Sequence, residues 1–256
     1  RQVVLHTGVI SDDGEMLTAI DSLMFERGIT VFLEDQDIDA LVSQVTQLGF
    51  SWVRMIVNWR EVGAGDTPDL ARIDEAVEKF SNAGVRILLT VTGAPDSARS
   101  DATDFVLGLQ SDYGPPDDPA TYATFVAELA QRYLGSVQAY EIWSEPNLRR
   151  TWISGEVTGR DDARMSDLRY IDLLSSAYAA IKAVDEGILV ITGGLAPTGL
   201  NDRINAIDDR VFLSALLEQG VEDVSDGIGV QPAGFANPPD AMCCEQPNGV
   251  ETHFED

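Results

Sequence analysis

The chain is 256 residues long, enough for one (β/α)₈ barrel or two small domains, and its 44% hydrophobic and 23% charged residues suit a globular protein with a substantial core. With 43 Asp and Glu against 17 Lys and Arg, the formal net charge is -26. That surface repels nucleic-acid phosphates and anionic membranes, and it suits a neutral ligand such as a sugar, or a cationic one.

No apolar run reaches the roughly 18 residues that a spanning helix needs, so membrane insertion is not expected. The acidic surface is read as a solubility device of a secreted or salt-exposed protein, which places it outside the cell or at its surface. The histidines are His6 and His253, far apart, and the cysteines are the neighbours Cys243 and Cys244. Neither set is spaced for zinc. Adjacent cysteines form a strained vicinal bridge, bond to partners outside this sequence, or remain thiols. Asp12-Asp13 and Asp208-Asp209 lack the alternating spacing of a calcium loop. No metal and no cofactor is expected.

In chain order, residues 1–26 carry the apolar patches Val3–Leu5 and Leu17–Met24, expected to form a hairpin or a lid across a barrel bottom, ahead of one domain over residues 27–256. From there strands and helices alternate. Gly28–Leu33 reads as a strand, and Asp37–Leu48 as a helix with Ile38, Leu41, Val42, Val45 and Leu48 on one face. Trp52–Val57 is the second strand, and Leu70–Ala83 a helix stopped at Gly84. Val85–Thr92 is the third strand, followed by a helix over Pro119–Leu134 with proline in its first turn. Val137–Trp143 is the fourth strand, Leu168–Asp185 a long helix, Ile188–Thr192 the fifth strand, Val211–Gln219 a helix and Gly227–Gln231 the sixth strand.

Strict alternation argues for parallel βαβ units wound one way, which fits an open doubly wound sheet or a closed barrel. A dinucleotide-binding sheet wants a glycine-rich first turn, whereas here it is the acidic Glu34-Asp35-Gln36. Long loops rich in Trp, Pro, Asn and Asp follow the second, third, fourth and sixth strands, where a barrel builds its site. The predicted fold is therefore α/β, a TIM (β/α)₈ barrel with about six of its eight strands in this sequence. An open barrel exposes two parallel edges. Strands seven and eight are accordingly expected beyond residue 256 or from another chain.

The fourth strand ends in Tyr140-Glu141-Ile142-Trp143-Ser144-Glu145-Pro146-Asn147. Glu145 is thereby set at the barrel mouth, with Pro146 breaking the ladder behind it. Trp-Ser-Glu-Pro-Asn resembles the W-N-E-P-N signature of the large glycoside hydrolase clan built on (β/α)₈ barrels, with cellulase-like and β-xylosidase-like bacterial members nearest. Phe50–Arg54 with Asn58–Val62 is similar to that clan's second strand, Pro119–Tyr133 to the helix before the acid/base strand, and Gly229–Gly234 to its sixth-strand G-x-H-P-Y-G.

The resemblance implies a retaining hydrolase of β-linked oligo- or polysaccharides that needs no cofactor. It places Glu145 as general acid/base and a second glutamate, the nucleophile, at the end of strand seven. One carboxyl must hold a proton and the other must stay ionised about 5–5.5 Å away. Glu251 and Glu255 have no strand context for the second role. Arg54 is expected to reach the site and orient the nucleophile, or to pair with Glu141 or Glu145. Ser144 and Gln231 are expected on sugar hydroxyls, in place of the family's Asn and His, with Ala233 in place of its Tyr. Trp59 and Trp152, with Trp143, form a sugar-stacking platform or else belong to the core. Asn147 contacts substrate or braces its loop. The departures at Ser144, Gln231 and Ala233 keep a second reading open, an inactive barrel that binds carbohydrate or serves as a structural surface subunit. An intact mass of the natural protein well above that of 256 residues is the expected result if further strands follow. A mass equal to it would assign the nucleophile to a partner chain or end the hydrolase reading.

Overall fold

A computed structural model describes residues 2–4, 26–63, 68–99, 114–152 and 167–232. Its centre is a six-stranded sheet in simple sequence order. The strands are β1 (Gln2–Val4), β2 (Arg27–Thr30), β3 (Trp52–Asn58), β4 (Arg86–Thr92), β5 (Ala139–Ile142) and β6 (Leu189–Thr192). The helices are α1 (Ile38–Gln47), α2 (Trp59–Val62), α3 (Ala71–Asn82), α4 (Pro119–Arg132), α5 (Asp167–Val184) and α6 (Asp209–Glu218). All pairings from β2 to β6 are parallel. The architecture is α/β, part of a (β/α)₈ barrel, as the alternation of patterns predicts.

Val3 and Val4, from a patch expected in a hairpin or a lid, lie in β1, which runs antiparallel to β2 with Gln2 opposite Ile29 and Val4 opposite Arg27. Gly227–Gln231 is no continuous strand but touches its neighbour in two parallel bridges, Ile191 to Gly227 and Leu195 to Val230. The expected patch Leu17–Met24, the pair Cys243-Cys244, Ala233, Glu251 and Glu255 lie outside the described residues.

Helix boundaries follow local chemistry. The Asp37 carboxylate accepts the free N–H groups of Asp39 and Ala40 at the start of α1, and Asp118 does so for Ala120 at the start of α4, with Pro119 in the first turn. At the other end of α3, Gly84 enters the left-handed region at φ +73, which lets Gly84 and Val85 donate to Ser81 and Phe80 and close the last turn.

Strand alternation then makes two cores. Val53, Met55 and Val57 on β3 and Ile87, Leu89 and Val91 on β4 are fully buried beneath the helices. The opposite, inner face carries a second small cluster, Trp52, Leu88, Ala139 and Ile191. Further along that inner face come the polar groups: Thr90 and Glu141 are register partners on β4 and β5, and Arg54 on β3 is level with Leu88, two residues before Thr90.

Helices α3 and α4 are clasped outside the sheet. Arg132 donates to both carboxylate oxygens of Asp74, and the Tyr133 hydroxyl adds a third hydrogen bond at 2.9 Å. These hydrogen bonds, led by those from Arg132, hold the Asp74 carboxyl below its ordinary range, with burial opposing them. A depressed carboxylate pKa adds stability above its unfolded value near about 3.9, and that stability is lost as pH falls toward the folded value. Asp74→Asn is expected to lower stability at neutral pH by about 1 kcal/mol or less, since the pair is partly exposed. Urea unfolding at about pH 3 should bring the variant and the parent closer together. An unchanged gap at acid pH would mean that the charge contributes nothing.

Candidate active site

The site begins where β5 leaves the sheet. Trp143 still donates its N–H to Val91 on β4 at 2.9 Å, but its φ is +72, and Glu145 two residues on has φ +50. A bulky residue in the left-handed region costs on the order of 1–3 kcal/mol and persists only where the surroundings compel it. Here packing compels it. The Trp143 ring is wholly buried, its Nε1–H donates to the Thr151 carbonyl at 2.8 Å, and it meets Trp152 edge-on at 5.3 Å.

The loop so formed is tied to its neighbours. Glu145 N–H donates to the Gly194 carbonyl, and its own carbonyl accepts from Leu148 N–H and the Thr151 hydroxyl. Asn147 is wholly buried, its amide accepting from Ala196 N–H at 2.9 Å and donating to the carbonyls of Ala196 and Ile207. It therefore braces the loop, the second of its two expected roles, and its full burial removes it from the ligand contacts.

Two glutamates of the motif have opposite surroundings. Glu141 is buried, with Oε2 accepting from Arg54 Nε at 2.7 Å and from the Thr90 hydroxyl, and Oε1 accepting from Gly194 N–H at 2.8 Å. Both its oxygens are committed. Glu145 has a side chain 15% exposed, with Oε2 on Arg150 Nη2 at 2.5 Å and Oε1 without a partner among the described residues. Of the two, only Glu145 can offer an oxygen to a ligand.

Arg54 is on the inner face as expected, spending Nε on Glu141, while its Nη2 is buried and has no hydrogen-bond partner among the described residues. Ser144 and Gln231 meet each other, Gln231 Nε2 donating to Ser144 Oγ at 3.1 Å.

The tryptophans are elsewhere. Trp59 is 7% exposed, stacked on Phe125 at 5.0 Å, and Trp152 is fully buried between Trp143 and Tyr170. Neither ring shows an open face to a sugar, so the expected stacking platform is not built from them. Both belong to the layer between sheet and helices, because the chain turns outward after each strand end.

Residues that the sequence did not flag complete the arrangement. Tyr170 accepts from Gly193 N–H at 2.6 Å and donates to the Ile142 carbonyl at 2.9 Å, locking the ends of β5 and β6 together. Burial pushes its phenol well above the ordinary range, so the hydroxyl stays a donor. Gly194 donates its N–H to the Glu141 carboxylate and accepts from the Glu145 N–H at its carbonyl, joining the two glutamates through one residue. The visible signals were the Gly193-Gly194 doublet at a strand end and the Arg149-Arg150 doublet just past Glu145, in a chain poor in cations.

No model of a protein family matches the chain, and comparison with curated proteins gives no match. Solved structures do match. A family 39 glycoside hydrolase from the gut symbiont Bacteroides cellulosilyticus WH2 superposes with a TM-score of 0.59 at 21% identity, over 83% of this chain and 39% of that one. A family 39 β-xylosidase from Caulobacter crescentus gives 0.53 at 17%, over 75% and 43%. The family 30 subfamily 8 xylanase Xyn30A from Clostridium acetobutylicum gives 0.55 at 14%, over 81% and 49%. The chain thus spans less than half of each of these proteins.

The close approach of the β5 and β6 ends leaves no room at Gly193. An added Cβ would sit 2.8 Å from the Ile142 carbonyl oxygen and 2.9 Å from that of Trp143, both backbone atoms. Gly193→Ala is expected to cost about 1–3 kcal/mol in urea unfolding. A variant as stable as the parent would show that the strand ends are not held this tightly. At these identities the likeness is one of fold, and the fold is the (β/α)₈ barrel, present here in part.

Proposed function

We propose that the protein is a retaining glycoside hydrolase of β-linked oligo- or polysaccharides, with Glu145 as general acid/base. The observation that carries this reading is the contrast between the two glutamates. Glu141 is consumed by the scaffold, whereas Glu145 stands at the end of the fourth parallel strand with one oxygen that meets no partner among the described residues. That is the side of a barrel on which catalytic groups sit.

Arg54 supports the second half of the chemistry. A buried guanidinium nitrogen without a partner carries an energetic cost that an arriving carboxylate relieves. The nucleophile, supplied by a seventh barrel strand, would take that place and be oriented by Arg54, within about 5–5.5 Å of the acid/base. Glu145 would protonate the leaving oxygen as the nucleophile attacks the anomeric carbon, then deprotonate the water that releases the sugar. Ser144 and Gln231 would contact sugar hydroxyls, singly or through water. The β-xylosidase and xylanase among the solved structures suggest β-xylosides as first substrates. No cofactor is needed, and the acidic surface suits a site of action outside the cell or at its surface.

A second reading rests on Ser144 and Gln231, which replace the family's residues and hydrogen-bond each other, and on the guanidinium already seated on Glu145. It makes the barrel a carbohydrate-binding or structural surface protein. Hydrolysis of aryl β-xylosides and β-glucosides by the full-length protein separates the two. Glu145→Gln should lower kcat by about 10²–10⁴-fold, least for substrates with good leaving groups. No turnover by the parent, with sugar binding unaltered in Glu145→Gln, would leave the binding reading standing alone.

A further inference from the structure

Arg150 stands beside the proposed acid/base. Its Nη2 donates to Glu145 Oε2 at 2.5 Å, and this carboxylate is its one partner among the described residues. The arginine side chain is 66% exposed against 15% for the glutamate, so the guanidinium reaches over Glu145 from the solvent side. An ion pair with so exposed a cation is worth only about 0–1 kcal/mol. A guanidinium has five donors in a planar fork that suits a carboxylate in two-point contact, and here Glu145 holds one of them. Arg150 is therefore exchangeable: a carboxylate arriving from solvent can take it with better geometry than Glu145 offers.

Where that carboxylate would lie follows from the chemistry. A general acid sits against the leaving-group oxygen, so a side chain bonded to that acid lies on the leaving-group side as well. We infer that Arg150 is a specificity-determining residue for β-glycosides whose leaving group carries a carboxylate, such as a uronic acid in the leaving sugar. Binding of that carboxylate draws the guanidinium off Glu145 and leaves both glutamate oxygens free for the reacting bond. The inference rests on the reading of Glu145 as acid/base.

The ligand's charge is bounded from the other direction. The net charge of -26 opposes a polyanion, but its field is screened beyond about 8 Å at physiological ionic strength. One carboxylate held against one guanidinium falls within that distance.

The test is the affinity of the full-length protein for non-hydrolysable pairs, phenyl thio-β-xyloside against para-carboxyphenyl thio-β-xyloside and the matching β-glucosides, by titration calorimetry. The parent should favour the carboxylate by about two- to fivefold, the size of a partly exposed ion pair, and the preference should shrink as salt is raised. In Arg150→Ala the ratio of the two affinities should collapse to about one, while Arg150→Lys keeps part of it. Equal affinities in the parent, or a preference that survives in Arg150→Ala, would overturn the inference and leave Glu145's role intact. Binding of neither member of any pair by the parent would overturn the glycoside reading, and this inference with it.

Discussion

The Glu141 carboxylate ties four consecutive strands together at one depth. Arg54 comes to it from β3, Thr90 from β4 and the Gly194 N–H from just beyond β6, while Glu141 itself stands on β5. A buried carboxylate in a sheet interior is costly unless its lone pairs are met by donors. Here three donors meet it, one of them a cation. The arrangement is one of mutual dependence: removing any donor leaves charge or polarity stranded in the barrel. This pins the register of the strands at the level where the site begins.

From that anchor Glu145 is placed through its backbone. Gly194 donates its N–H to the Glu141 carboxylate and accepts the Glu145 N–H at its carbonyl, so one residue sets the backbone of Glu145 relative to the committed glutamate. The strained turn at Trp143 and Glu145 is held from outside the barrel by a run of rings, Phe125, Trp59, Tyr122, Trp143, Trp152, Tyr170 and Phe212, each within 6.1 Å of the next. These rings spend their surface on rigidity. The aromatic residues that looked suited to sugar stacking act one layer back, as the support that makes an unfavourable backbone conformation affordable.

The charge pattern fits this division. Carboxylates prevail over the chain as a whole, yet the arginines Arg54 and Arg150 are drawn to the inner face and the mouth, one on each glutamate. A cation buried at 12% exposure and one lying at 66% do different physical work. Arg54 is fixed by a low-dielectric neighbourhood, where its pairing is strong and its buried Nη2 has no partner among the described residues. Arg150 is in water, where pairing is weak and reversible.

Much of the architecture was legible in the chain. Apolar periodicity placed α1, α3 and α4, because a helix that packs on one face must repeat every three to four residues. Asp37, Asp118 and Gly84 marked helix ends, since capping is local chemistry. Glu145, Arg54, Ser144 and Gln231 were singled out by the pattern around them, and they do gather at the inner face and strand ends. Tertiary structure alone decided the rest. That Glu141 and not Glu145 takes Arg54, that Asn147 is a brace, that Trp59 and Trp152 are core, and that Gly194 bridges the two glutamates are facts about residues tens of positions apart. A sequence records which groups can donate, accept or stack. Which of several eligible partners each one meets is settled by register between strands and by the direction in which the chain leaves them, and neither is written in any local run of residues.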